Sequence, residues 1–155
     1  MTLIHKDGDI FTTEQPAVIH GVNIVGVMGS GIAKTVRQLY PDVYKGYREY
    51  CKMGLLSAGH MLPIYGHSST EGVASRWVLN AASQDQPGPS ATYQWVESSV
   101  REAFAFAHDT KLSGVAICRI ASAIGGLEWP SVLAIIEKLA DEFPKLTVEV
   151  WTYKP

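Results

Sequence analysis

The chain has 155 residues, 46% hydrophobic and 18% charged, with 13 Lys and Arg against 15 Asp and Glu and a formal net charge of -2 at pH 7. That length reads as one domain, residues 1–155, with enough chain to bury a core without disulfide or metal staples. The near-balance of charge excludes a broadly basic groove, so extended nucleic-acid binding is not expected and any anionic ligand has to be met by local groups.

Short apolar runs alternate with stretches of helical period, the pattern of helices covering a largely buried sheet. The first strands are expected at Thr2–Lys6 and Ala17–Gly21. A glycine-punctuated loop then leads into a helix over Gly31–Leu39, which stops before Pro41 because that ring disfavours helical geometry at Tyr40. A second helix covers Val43–Lys52, and strands follow at Gly59–Ile64 and Ser75–Leu79. After the turn-rich segment Gln84–Ala91, the residues Tyr93, Val96, Val100, Phe104 and Ala107 recur at helical spacing and form one apolar stripe. Strand Gly114–Arg119 precedes a fourth helix, which begins after Trp129, accepts Pro130 in its first turn and buries Val132, Ile135, Ile136, Leu139 and Phe143. In the last strand, Leu146–Tyr153, alternation sets Glu149, Trp151 and Tyr153 on one face.

Cys51 and Cys118 belong to no CxxC or Cys/His cluster, which fits a reducing, cytoplasmic setting. No secretion signal and no membrane span are expected. His5, His60, His67 and His108 show no metal-ligand spacing, so no metal is expected.

Two stretches carry chemistry. In Ile19–Ala33 (IHGVNIVGVMGSGIA) a buried strand ends, glycines let backbone approach a ligand closely, and the free N–H groups of a helix start favour phosphate oxygens. This is neither GxxxxGK[ST] nor GxGxxG. A second small-residue loop, Ile117–Trp129 (ICRIASAIGGLEW), has the same strand-to-helix setting. Two such loops, each at the C-terminal end of a buried strand and each opening a helix, would flank one crevice of an α/β sheet and suit a diphosphate.

With Gly8-Asp9-Ile10 and YPDVYKGYREYCK at 40–52, these stretches resemble the macro domain family over nearly the whole chain. The resemblance implies a three-layer α/β/α fold with a mixed, roughly six-stranded sheet, ADP-ribose or an ADP-ribosylated substrate as ligand, no cofactor, and a monomer. The chain is similar to the branch of ADP-ribose 1''-phosphate processing enzymes and small ADP-ribosyl hydrolases. That branch implies hydrolysis at the distal ribose, of a phosphate ester or of a linkage to protein or nucleic acid. The alternative is a reader module that binds ADP-ribose without turnover.

Residue by residue, Asp9 resembles the acceptor of the adenine amino group, beside the backbone of Gly8 and Ile10, and a carboxylate suits that donor. Asn23 resembles the amide that holds the distal ribose. Gly29, Ser30, Gly31, Ile32 and Ala33 resemble the loop that holds distal ribose and phosphates, with Met28 as a wall or else as packing. Ser122, Ala123, Ile124, Gly125 and Gly126 resemble the opposite diphosphate loop. Trp151 and Tyr153 resemble the aromatic that stacks on adenine, or else they are core packing. His20 reads as a core histidine from its apolar run and as a proton donor from the resemblance. Asp85 and Gln84 are possible site groups facing the distal ribose, Asp85 as a candidate acid or base or else a solvated loop carboxylate. Hydrolases of a related branch carry an acid where this chain has Gly125 and a lysine after the fourth strand; neither is present, which argues against a lysine Schiff base.

Overall fold

A computed structural model describes residues 2–154. The elements in chain order are β1 (Thr2–Asp7), a short 3-10 helix (Ile10–Thr12), β2 (Ala17–Gly21), α1 (Gly31–Leu39), α2 (Pro41–Lys52), β3 (Met61–Gly66), β4 (Arg76–Ala81), α3 (Tyr93–Asp109), β5 (Gly114–Ile117), α4 (Trp129–Glu142) and β6 (Thr147–Thr152). The strands form one mixed six-stranded sheet in the order β1-β6-β5-β2-β4-β3. All neighbours are parallel except β3, which runs antiparallel to β4.

The central strands β2 and β5 are buried almost throughout and apolar but for His20, because helices cover both of their faces, as buried parallel strands require. On one face Ile64 of β3 and Tyr40 and Val43 of the helical elbow close on Gly46 and Gly66, leaving no room for a Cβ at Gly66. On the other, Trp77 of β4 meets Phe106 of α3 edge to face at 5.0 Å between ring centroids, and Phe104 of α3 meets Phe143 beyond the end of α4 at 6.2 Å. Helices α1 and α2 therefore form one layer and α3 and α4 the other, giving the expected α/β/α sandwich.

The departures from expectation are local. Helix α2 starts at Pro41 rather than Val43, since a proline lacks only an N–H that a first helical turn leaves unpaired anyway. Tyr40 ends α1 through its N–H to the Val36 carbonyl and starts α2 by accepting from Val43 N. Strand β3 starts at Met61 because Gly59 sits at φ 90°, packed under Trp95. Strand β5 ends at Ile117, where the chain turns and Ile120 N donates to the Cys118 carbonyl. The 3-10 turn after β1 had no periodicity to announce it. Among the described residues no helix is long and apolar enough to cross a membrane.

Candidate functional site

At the C-terminal ends of β2, β5 and β6 a cleft of about 780 Å³ runs between the loop after β2 and the loop after β5. A pocket of about 200 Å³ adjoins it, and the two share Ile32, Thr35, Cys118, Trp151 and Tyr153. The crevice lies where parallel α/β sheets place ligands, because the strands deliver their following loops and helix starts to that edge.

The first loop is organised by Asn23, buried to 7% exposure. Its Oδ1 accepts from Val25 N at 3.0 Å and Gly26 N at 3.2 Å, and its Nδ2 donates to the Val27 carbonyl at 3.0 Å. The Tyr47 hydroxyl of α2, fully buried below, donates to the Asn23 carbonyl at 2.7 Å and lies 2.9 Å from Oδ1. Burial raises the phenol pKa well above its usual value, so it remains a donor. Asn23 lines the cleft with its acceptor saturated and a single amide hydrogen left to give.

Past this turn the chain enters α1 through Gly31 at φ 60°, a left-handed geometry suited to glycine. Among the described residues, no group accepts from the N–H groups of 29–33. Opposite, the N–H groups of 123–125 are likewise unpaired within the protein. Ile124 reaches across: a Cβ on Gly31 would lie 3.1 Å from its Cδ1, so the two loops nearly touch over the cleft. The second loop folds tightly on itself, with Leu127 N donating to the Ala121 carbonyl at 3.0 Å. A Cβ at Gly125 would fall 2.6 Å from that same carbonyl oxygen, which is why no acidic side chain fits at this position.

At the aromatic end Gly8, Asp9, Ile10 and Phe11 line the small pocket with Trp151 and Tyr153. Asp9 Oδ1 caps the 3-10 turn by accepting from Phe11 N at 3.0 Å, leaving its second oxygen for a ligand donor. Trp151 is 8% exposed and Tyr153 71%. The Trp151 indole N–H donates to Glu149 Oε1 at 2.9 Å; the same carboxylate accepts from Thr13 Oγ1 at 2.6 Å and Gln15 Nε2 at 3.1 Å. Burial pushes the Glu149 carboxyl up, but these three donors together with the charge of Lys6 outweigh it and hold the pKa below its usual value. Trp151 is thus a fixed wall, and Tyr153 an exposed aromatic at its edge.

The remaining candidates lie elsewhere. His20 is buried in β2, its Nε2 donating to Asn80 Oδ1 at 2.7 Å, a tautomer fixed because the Asn80 amide donates to the Leu62 and Val78 carbonyls. Burial lowers its pKa to about 4, against a smaller opposing effect of the Asn80 bond, so the ring is neutral near pH 7. It does not line the cleft. Asp85 also lies outside the cleft wall, Met28 is packed in the core, and Ser122 and Gly126 of the second loop do not line the cleft, a Cβ on Gly126 falling 2.9 Å from Pro89.

Sequence reasoning missed Arg119, whose guanidinium lies 5.0 Å over the Trp129 ring while Nε donates to Thr152 Oγ1 at 3.0 Å. It also understated Gln84, whose amide NH₂ is spent on the Gln86 and Gly88 carbonyls, leaving Oε1 to accept. The Cys118 thiol, pushed up to about 12 by burial, is not a nucleophile. Among the described residues no carboxylate or imidazole lines the cleft, and no three His, Cys, Asp or Glu side chains gather as a metal site.

The profile of the family described as Macro domain matches residues 19–136. The chain belongs to the macro domain family. The macro domain is 25% identical over 148 residues to a DNA ADP-ribosyl glycohydrolase of Thermus aquaticus, covering 96% of this chain and 40% of the relative. Among solved structures it superposes on the macrodomain of Mycobacterium tuberculosis DarG with a TM-score of 0.88 at 20% identity, over 99% of each chain. It also superposes on Thermosipho africanus DarTG in complex with ADP-ribose, with a TM-score of 0.86 at 24% identity, over 100% of this chain and 43% of that one. The macro domain thus spans about two fifths of the length of the curated relative it matches.

Proposed function

We propose that this macro domain binds ADP-ribose along the cleft and hydrolyses the bond that joins its distal ribose to DNA. The observation that carries this reading is the pairing of two facing sets of unspent backbone N–H groups, at 29–33 and 123–125, with an aromatic pocket at one end and Asn23 at the other. Facing N–H groups and a helix start suit a diphosphate without a lysine, and Arg119 adds one cation. The adenine packs against Trp151 with its amino group toward Asp9, and Tyr153 closes over it; such stacking is worth about 1–3 kcal/mol per base. The kinship to DNA ADP-ribosyl glycohydrolases supports DNA as the leaving side.

In the proposed reaction the amide hydrogen of Asn23 holds a hydroxyl of the distal ribose and the Gln84 carbonyl oxygen accepts from another. A water oxygen bonds to the anomeric carbon as the glycosidic bond breaks and its electron pair leaves with the base. The water's proton passes to a phosphate oxygen of the substrate, and the base takes its proton from solvent. Acceleration comes from orientation rather than from a strong protein base. A second reading, binding without turnover, is favoured by one observation, the lack of any carboxylate or imidazole in the cleft wall.

We place the domain in the cytoplasm as a monomer, in keeping with the free thiols Cys51 and Cys118. Incubation with ADP-ribosylated DNA, mono-ADP-ribosylated protein and ADP-ribose 1''-phosphate, with free ADP-ribose as the readout, tests the proposal. Release from DNA is the expected result. Tight ADP-ribose binding with no release from any of the three would leave a reader module, and no binding at all would remove both readings.

A further inference from the structure

The near-neutral total of the chain conceals a separation by layer. Helices α1 and α2 carry Lys34, Arg37, Lys45, Arg48 and Lys52 against Asp42 and Glu49, a net +3. On the opposite layer α3 and α4 carry Arg101 and Lys138 against six carboxylates, a net -4. Those two cations are consumed there: Lys138 pairs with Glu97 at 2.9 Å and Arg101 with Glu142 at 3.1 Å.

Within the basic layer, Lys45, Arg48 and Lys52 follow one another at spacings of three and four residues. They share one exposed face of α2 over about 10 Å of helix axis. Lys52 lies 3.9 Å from Glu49, whereas among the described residues Lys45 and Arg48 have no carboxylate within 4.0 Å.

This face adjoins the distal end of the cleft. A Cβ at Gly26 would lie 3.9 Å from both Cα and Cγ of Arg48, and Gly26 N is itself held by Asn23 Oδ1 at 3.2 Å. Only the width of one turn separates the free amide hydrogen of Asn23 from the basic face. Across that turn Val25 and Val27 stand 49% and 45% exposed, and Val27 also lines the cleft.

We propose that this surface is the track for the nucleic-acid strand that carries the ADP-ribose. The modified nucleotide leaves the cleft over Val25 and Val27, where a base packs on the apolar ledge, and the flanking phosphates lie along Lys45 and Arg48, with Lys52 beyond. The acidic opposite layer repels the strand and so directs it to this side. The inference rests on the DNA reading of the distal end given above and adds the flanking strand to it. It also replaces the expectation drawn from total charge: a few phosphates are met by one helix, without a basic groove.

The test compares the parent with K45E/R48E, and with Lys145→Glu as a charge control remote from the track. KM for ADP-ribose release is measured on a single-stranded ADP-ribosylated oligonucleotide of about 12 nucleotides and on the ADP-ribosylated mononucleotide, at several salt concentrations. Kd for free ADP-ribose is measured in parallel. For the parent, KM on the oligonucleotide is expected to be at least about tenfold lower than on the mononucleotide. K45E/R48E abolishes that advantage and flattens the log–log salt dependence by about 0.7 for each cation lost, while ADP-ribose affinity and mononucleotide KM stay unchanged. Equal KM values for the two substrates in the parent, or an oligonucleotide KM untouched by K45E/R48E, would overturn the track. If the parent releases ADP-ribose from neither substrate, the hydrolytic reading fails separately. The track is then decided by Kd for the same oligonucleotide: equality with free ADP-ribose overturns it, and tighter binding lost in K45E/R48E upholds it.

Discussion

At the aromatic end of the cleft the wall is set by an anion: Glu149 grips the Trp151 indole and ties it to Thr13 and Gln15 of the β1–β2 connection. That connection is held from its other side by buried Arg76, whose Nη1 donates to the Thr13 carbonyl at 3.0 Å and the Gln15 carbonyl at 3.2 Å. At the distal end the positioning groups are neutral: the amide of Asn23 and the phenol of Tyr47. Charge is used to fix the end proposed to take the base, and neutral donors fix the end where the proposed bond breaks. A neutral donor can hold a sugar hydroxyl without exchanging protons with it, so protonation should govern binding at one end and leave the chemistry at the other nearly untouched.

The largest effect expected from breaking this arrangement is at Asn23. Asn23→Ala removes the ribose donor and frees the 25–27 turn, and the release rate should fall by about 10²–10³, the usual cost of losing one oriented donor. A steady-state assay with ADP-ribosylated DNA reads this directly; parental rates in Asn23→Ala would remove the neutral end from the mechanism.

Next in size is the buried histidine. An unfolded histidine takes up its proton near pH 6.5, whereas folded His20 does so only at about 4. Between those values the unfolded state binds more protons, so stability rises with pH across the window and is eroded on acidification by as much as about 3 kcal/mol. Urea unfolding at intervals from pH 4 to 7 should show that slope in the parent and a flatter one in His20→Leu, with the catalytic rate of His20→Leu near parental wherever it is folded.

A smaller effect distinguishes the charge of Glu149 from its geometry. Glu149→Ala should raise Kd for ADP-ribose by about tenfold, roughly the worth of one hydrogen bond to a charged group, and shift the Trp151 emission as the ring is released. Glu149→Gln keeps an acceptor for the indole and should recover most of that affinity. Smallest of all, kcat should vary by less than about twofold from pH 6 to 8, since among the described residues no carboxylate or imidazole lines the cleft in which the distal ribose is proposed to sit. A bell-shaped profile would point to a base not seen in the cleft wall and would end the contrast between the two ends.

The sheet, its covering helices and the two glycine loops were legible because each rests on local pattern: an apolar run, then glycines, then helical period. Asn23 was singled out by the resemblance alone, and the structure adds that its amide organises the turn after β2. What escaped depends on contacts between distant residues. The Thr13–Glu149 bond joins positions 136 apart, and the Tyr47–Asn23 bond positions 24 apart, so neither leaves a spacing signature. Met28 sits among loop glycines yet is core, because the turn pinned by Asn23 directs it inward. His20 could be placed in an apolar run, but only the facing Asn80 of β4 explains how its ring is accommodated there. The charge on α2 was hidden by summation over the chain, which averages two opposed layers to almost nothing.

Tyr40 has a mechanical consequence. It closes α1 and opens α2, is fully buried, and its hydroxyl donates to the Ala74 carbonyl at 2.8 Å while accepting from Arg76 Nε at 3.2 Å. With no slack residue between them, the two helices form a bent lever anchored at its fulcrum to the sheet. A ligand that stills the first turn of α1 therefore damps the far arm as well, so amide exchange along α2 should slow in step with that of α1 when the cleft is filled.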